Sequence, residues 1–417
     1  MSKRWMQFGM QKIIVGAVMF VLLSLVIAPA ALIAQGESEA DGDDGLPSCA
    51  VNESQLLGQP NRLNGSSAGI YTPALMTQHG QMGLVVDVSS FPSDMALAMP
   101  SPTNITPDGE PSVAILIVDD MTTPLGAGYE GHGAYVLRVI TDLYHTLDKD
   151  VQSEILIQDI NVPGYDVPDM VARLRGEISA LQATYPALTQ FVINMSFNLI
   201  PCTAEVVAPN GNSFIFNFAD FFEAYLVSVN ELEGRSLSLL EYFAGQLGYD
   251  YESEDDRFLV ADLIVQLMVN QADDFLDPLY EFIATAPGDY GVNIVPVNSA
   301  GNFGETEFVR NMQQPFAPGI WENVISVSAL KGPSGSGTNL FDFSNPGEIG
   351  ATGGWYPLGV NRYRDPIYGA GTSFAAPAAS LFTAVQLIDN NGCTYNPSLT
   401  DAPFDNVWYM DAITANC

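Results

Sequence analysis

Five residues of this chain pair reactive or hydrogen-bonding side chains with positions at the ends of apolar runs or the start of a helix: Asp119, His132, Ser196, Asn302 and Ser373. A serine hydroxyl is a poor nucleophile at its own pKa and needs an adjacent base. Histidine supplies such a base near neutral pH. A buried carboxylate fixes the imidazole tautomer and stabilises the imidazolium. A side-chain amide can hydrogen-bond a developing oxyanion, and loss of one such donor costs roughly 3–4 kcal/mol. Together these are the groups that nucleophilic acyl transfer requires. The stretch GAGTSFAAPAAS, residues 369–380, sets Ser373 between small residues and an alanine-rich run of helical character. Its glycines allow the backbone to pass close to another segment. Pro377 is tolerable because the first helical turn needs no donor from its nitrogen.

The elements that must position these groups can be read from hydrophobic periodicity. SVAILIVDD (112–120) is a continuous apolar run ending in two aspartates, as expected of a strand buried on both faces. HGAYVLRVITDLYHTL (132–147) carries Tyr135, Val136, Val139, Ile140 and Leu143 at helical spacing. Strands are expected at 153–160, 190–198, 293–302 and 322–330, and a helix at 167–185. Alternation of this kind implies an α/β domain whose ligand site lies at the carboxyl ends of the strands. Between Cys202 and Gly288 the chain reads as mostly helical, with apolar spacing over Phe218–Leu232 and Phe258–Met268 and an acidic loop at Glu252–Asp256 between them. Residues 48–111 are rich in Pro, Gly, Ser and Asn, with strand-like runs such as 83–88.

On these residues the chain resembles the subtilisin-like serine peptidases (peptidase S8). Gly371-Thr-Ser-Phe-Ala-Ala-Pro377 is similar to the family's serine motif, His132-Gly-Ala-Tyr-Val136 to its histidine motif, and Val113–Asp120 to its aspartate strand. Val192-Ile-Asn-Met-Ser196 resembles the strand that pairs with substrate, and Ser299-Ala-Gly-Asn302 the segment bearing the oxyanion amide. The order Asp, His, Asn, Ser is that of subtilisin, and the resemblance spans about residues 110–390. It implies a three-layer α/β fold with a central, mostly parallel sheet and helices on both faces, plus a helical insertion at about 203–285. It implies a serine endopeptidase acting on polypeptides, with Asp119, His132 and Ser373 as the triad, Asn302 as oxyanion donor, and Ser196, Asn198 and Gly301 as substrate-binding positions. No cofactor is required; structural calcium is compatible with the family but has no assignable site, and no metal ligands are assigned.

The chain also departs from the family pattern. Asp119 is followed by Asp-Met in place of a small hydroxyl residue and glycine, so Asp120 is the alternative partner of His132; Asp119 is preferred because it directly follows the apolar run. Ala-Tyr follows His132-Gly where Thr-His is usual, and only 13 residues separate Asp119 from His132. The substrate strand ends in Ser-Phe-Asn198 and not in glycine, which narrows the entrance to the primary specificity pocket. These changes motivate the rival reading, an inactive subtilisin-fold binding or scaffold protein at the cell surface.

Composition bounds the rest. A net charge of −34 repels nucleic acid. Lys3, Arg4 and Lys12 precede an apolar run over 13–34 that ends in small residues, the pattern of a secretory signal. The run is also long enough, at ~20 residues, to stay as a membrane anchor. The expected divisions are 1–34 as signal peptide or anchor, 35–110 as linker and possible pro-segment, and 111–417 as the peptidase domain, secreted or extracytoplasmic. The oligomeric state is left open. An even count of four cysteines in an exported chain suggests two disulfides; of three possible pairings Cys393–Cys417 and Cys49–Cys202 are favoured. The three histidines include His79 and His145 in contexts without chemistry, and no HExxH spacing supports zinc.

Overall fold

Every residue of the strand Val113–Asp119 is buried. Alternate side chains of a strand leave on opposite faces, and these divide accordingly: Val113, Ile115 and Ile117 enter one hydrophobic cluster, Ala114, Leu116 and Val118 another. A strand with two apolar faces needs cover on both sides, which a parallel sheet between helices supplies.

A computed structural model of the chain describes residues 50–52, 69–73, 110–125, 128–201, 203–207, 213–217, 244–245, 248–250, 252–302, 304, 317–331, 340–389 and 408–409. The strands are β1 (Ala50–Asn52), β2 (Gly69–Tyr71), β3 (Val113–Asp119), β4 (Ile155–Asn161), β5 (Gln190–Met195), β6 (Leu199–Pro201), β7 (Thr203–Val207), β8 (Ser213–Asn217), β9 (Asn293–Ser299), β10 (Ile325–Leu330), β11 (Ile349–Thr352), β12 (Tyr356–Val360), β13 (Pro366–Ala370) and β14 (Trp408–Tyr409). The helices are α1 (His132–Tyr144), α2 (Lys149–Glu154), α3 (Val167–Thr184), α4 (Glu254–Tyr290) and α5 (Thr372–Asp389).

Seven strands form the central sheet in the order β14-β11-β10-β9-β5-β3-β4, with every neighbouring pair parallel. Apolar residues of α1 and α5 cover one face and those of α3 and α4 the other. The fold is therefore α/β with three layers, as expected. Strand order reverses at β3: β4 lies on one side of it and β5 on the other. The crevice at such a switch point, beyond the carboxyl ends of the strands, is where open α/β sheets bind ligands. Asp119 and Ser196 stand on its two sides.

The elements differ from the sequence reading in instructive ways. The strand expected at 153–160 starts at Ile155 because Lys149–Glu154 coils into α2. β5 and β9 stop at Met195 and Ser299, short of 198 and 302, because the chain leaves the sheet there to build the crevice. The expected helical insertion at about 203–285 begins instead with an antiparallel hairpin, β7 on β8. Its SFIFN strand carries the aromatic and β-branched residues that favour pleated pairing. The acidic stretch 252–256 is no separate loop: Ser253 accepts a hydrogen bond from the Asp256 N–H at 3.4 Å and caps α4, and acidic residues suit a helix start. Residues 35–110 contribute two strands to this body, β1 against β6 and β2 against β13. The readings of 83–88, 218–232, the 1–34 segment and all four cysteines lie outside the described residues.

Candidate active site

β3 delivers Asp119 to the crevice, fully buried. Its carboxylate faces the His132 ring, with Nδ1 2.9 Å from Oδ2 and 3.0 Å from Oδ1. A carboxylate only accepts, so Nδ1 carries the proton and Nε2 is the basic nitrogen. Two further donors hold Oδ1: the Asp120 N–H at 2.8 Å and the Tyr165 hydroxyl at 2.6 Å. His132 is 2% exposed and opens α1. The close approach depends on Gly133, where a Cβ would sit 2.7 Å from Asp119 Cβ and 2.6 Å from Met121 Sδ.

The adjacent Asp120 does different work. Its Oδ1 accepts from the Thr122 and Thr123 N–H groups at 2.9 and 2.8 Å, and its Oδ2 from the Gly164 N–H at 2.8 Å. Burial by itself would raise its pKa, but these donors outweigh it and hold the group below the usual carboxylate range. The geometry thus pairs His132 with Asp119, while Asp120 ties the turn after β3 to the turn after β4.

Ser373 is the second residue of α5 and 5% exposed. Before it, Thr372 donates through its N–H and its hydroxyl to Asn302 Oδ1, at 2.8 and 3.2 Å. The Gly301 N–H in turn donates to the Thr372 hydroxyl at 3.2 Å. The Asn302 oxygen is thereby engaged as an acceptor at the start of α5. The two halves of the site meet where the Phe374 ring, one residue past Ser373, lies 6.3 Å from the His132 ring.

The substrate-binding candidates Ser196 and Asn198 are buried and bonded within the protein. Ser196 turns its hydroxyl inward: it accepts from Asn194 Nδ2 at 2.9 Å, and Asn194 Oδ1 accepts from the Ser380 hydroxyl at 2.9 Å. This buried chain anchors α5 to β5. Asn198 reaches across to Ser299, its Nδ2 3.4 Å from the hydroxyl. Asn298 donates to the Phe197 carbonyl at 3.0 Å, joining the same two segments. Sequence reasoning missed Asn298 and Tyr165, and quoted Thr372 and Asn194 within motifs without assigning them these bonds. Among the described residues no group of three or more His, Cys, Asp or Glu side chains could hold a metal ion, and no helix is long and apolar enough to cross a membrane.

No protein-family model matches the chain, and no curated protein matches it. Among solved structures it is similar to the prenylagaramide maturation protease PagA, at 15% identity over 72% of this chain and 79% of that one, TM-score 0.34. It is similar to the patellamide maturation protease PatA, at 15% identity over 73% and 93%, TM-score 0.32. A lanthipeptide protease matches at 14% identity over 68% and 74%, TM-score 0.30.

Proposed function

We propose that the chain is a subtilisin-like serine endopeptidase that works outside the cytoplasm. The observation that supports the reading is the buried Asp119–His132 contact at 2.9 Å, with the ring of Phe374, the residue after Ser373, 6.3 Å from the His132 ring and Thr372, the residue before it, bonded to Asn302. Asp119 orients the imidazole and stabilises the imidazolium. His132 Nε2 takes the Ser373 hydroxyl proton as the oxygen attacks the peptide carbonyl, and later returns it to the leaving amine. The Asn302 NH2 and the Ser373 N–H stabilise the oxyanion. Water, deprotonated by the same imidazole, then hydrolyses the acyl-enzyme. Ser196, Asn198 and Gly301 flank the bound polypeptide. The basic and apolar pattern of residues 1–34 supports export, by a cleaved signal or as an anchor.

The test is covalent labelling of the full chain by a fluorophosphonate probe beside Ser373→Ala. Labelling of the native chain that vanishes in the variant is expected. A folded chain that does not label, or that labels equally without Ser373, sinks the reading and leaves the inactive binding protein in its place.

A further inference from the structure

Tyr165 follows the strand β4, 46 residues beyond Asp119. It is wholly buried, and its φ of 55° is in the left-handed region that a bulky side chain seldom adopts. Such a conformation persists only where surrounding contacts over-determine it. Here they do. The Val162 N–H donates to the Asp119 carbonyl at 2.9 Å, the Tyr165 N–H to the Val162 carbonyl at 3.1 Å, and the Gly164 N–H to Asp120 Oδ2 at 2.8 Å. Asn161 Oδ1 accepts from the Met121 N–H at 2.9 Å. The turn 161–165 is thus closed by one internal hydrogen bond and clamped over the end of β3 by three more, and Phe197 meets the Tyr165 ring at 5.4 Å, edge on. What this arrangement presents to Asp119 is one phenol hydroxyl at 2.6 Å. That length belongs to the short, charge-assisted class of hydrogen bond.

A buried tyrosine hydroxyl needs some acceptor, and a nearby carbonyl would serve packing alone. The chosen acceptor is the carboxylate that grips His132, reached from a strained backbone. We propose that Tyr165 is a positioning residue for the Asp119–His132 pair. Its hydroxyl and the Asp120 N–H hold Oδ1 from one side, which keeps the carboxylate from rotating while both its oxygens face His132 Nδ1, at 3.0 and 2.9 Å. The consequence for turnover rests on the peptidase reading; the effect on His132 does not.

The test uses the full chain carrying isotope-labelled histidine. There are three histidines, and His132→Gln assigns the ring of interest. In Tyr165→Phe the carboxylate loses a donor and binds the imidazolium more tightly, so the pH midpoint of the His132 ring signals rises by about half a unit or more. His79 and His145 do not move. The rate of fluorophosphonate labelling falls roughly tenfold. Replacing Tyr165 with 3-fluorotyrosine, a stronger donor of the same shape, moves the midpoint the other way and guards against a Phe variant that does not fold. In an Asp119→Asn background the Phe change has no further effect on labelling. An unmoved midpoint in a folded variant overturns the proposal, as does a moved midpoint with labelling as fast as in the native chain. If the native chain does not label at all, the peptidase reading falls and the midpoint alone decides the role of Tyr165.

Discussion

Asn302 has one oxygen and one NH2 group, and the fold commits the oxygen to Thr372. That fixes which way round the amide sits, and it makes the proposed oxyanion role separable from the structural one. Asn302→Asp keeps an acceptor for Thr372 and replaces the donor with a negative charge; Asn302→Ala removes both. Both variants are expected to lower kcat by roughly 10²–10³-fold with KM little changed. A kcat within a few-fold of native in Asn302→Asp, measured on a peptide ester, would leave Asn302 as an anchor for Thr372 alone. The same economy of oxygens separates the two neighbouring aspartates. Asp119 accepts from the imidazole and the phenol, whereas Asp120 accepts from the turns after β3 and β4.

Single positions matter here because two helices start in the crevice. α1 can approach β3 closely enough for His132 to reach Asp119 only with glycine at 133. Gly133→Ala must displace Met121 Sδ and, less easily, Asp119 Cβ, the root of the carboxylate's side chain. A loss of roughly 1–3 kcal/mol in stability is expected, together with a large loss of Ser373 labelling; calorimetry and the probe measure the two separately. Full labelling in a folded Gly133→Ala chain would mean that α1 tolerates a shift the site should not. A second element carries a titration. Glu348, ahead of β11, is pushed by burial up to about 7 from an ordinary 4.5, against one hydrogen bond involving Ser326 that lowers it. Between those values the folded chain binds more protons than the unfolded chain, so stability falls as pH rises from about 4.5 to 7. Glu348→Gln should therefore raise the Tm above pH 7 and leave it nearly unchanged at the acid end of that window. Equal effects of the variant at both ends would contradict the assignment.

The whole molecule is dominated by its charge. With 48 acidic and 14 basic residues, the surface repels itself, and the ion pairs seen, such as Arg138–Glu130 and Arg173–Asp169, involve exposed or half-exposed side chains. Exposed pairs contribute little, so they do not neutralise the field. Screening by salt should relieve that repulsion. The Tm is expected to rise by several degrees between low ionic strength and roughly 0.5 M sodium chloride, where the Debye length is a few ångströms. A flat or falling Tm would show that the acidic groups are spaced widely enough not to matter. Two strands from residues 35–110 are also sewn into this body, β1 on β6 and β2 on β13.

The legible features were local. The apolar run before Asp119, the helical spacing after His132 and the small-residue approach to Ser373 each reflect a periodicity or turn chemistry held within a dozen residues. They settled the parallel α/β class and named His132 and Ser373. The hairpin at 203–217 went unrecognised within a stretch read as mostly helical, because short apolar runs carry no decisive period. The sequence preferred Asp119 to Asp120 only for its place directly after the apolar run, one residue ahead of a second carboxylate. Only the packed fold decided between them, by placing one carboxylate against the imidazole and the other against a turn. The contacts that complete the site join residues far apart in the chain: Tyr165 to Asp119 across 46 positions, Thr372 to Asn302 across 70, Ser380 to Asn194 across 186. No local pattern encodes such meetings, because they depend on strand order and on how closely helices can approach a sheet whose two faces are both filled.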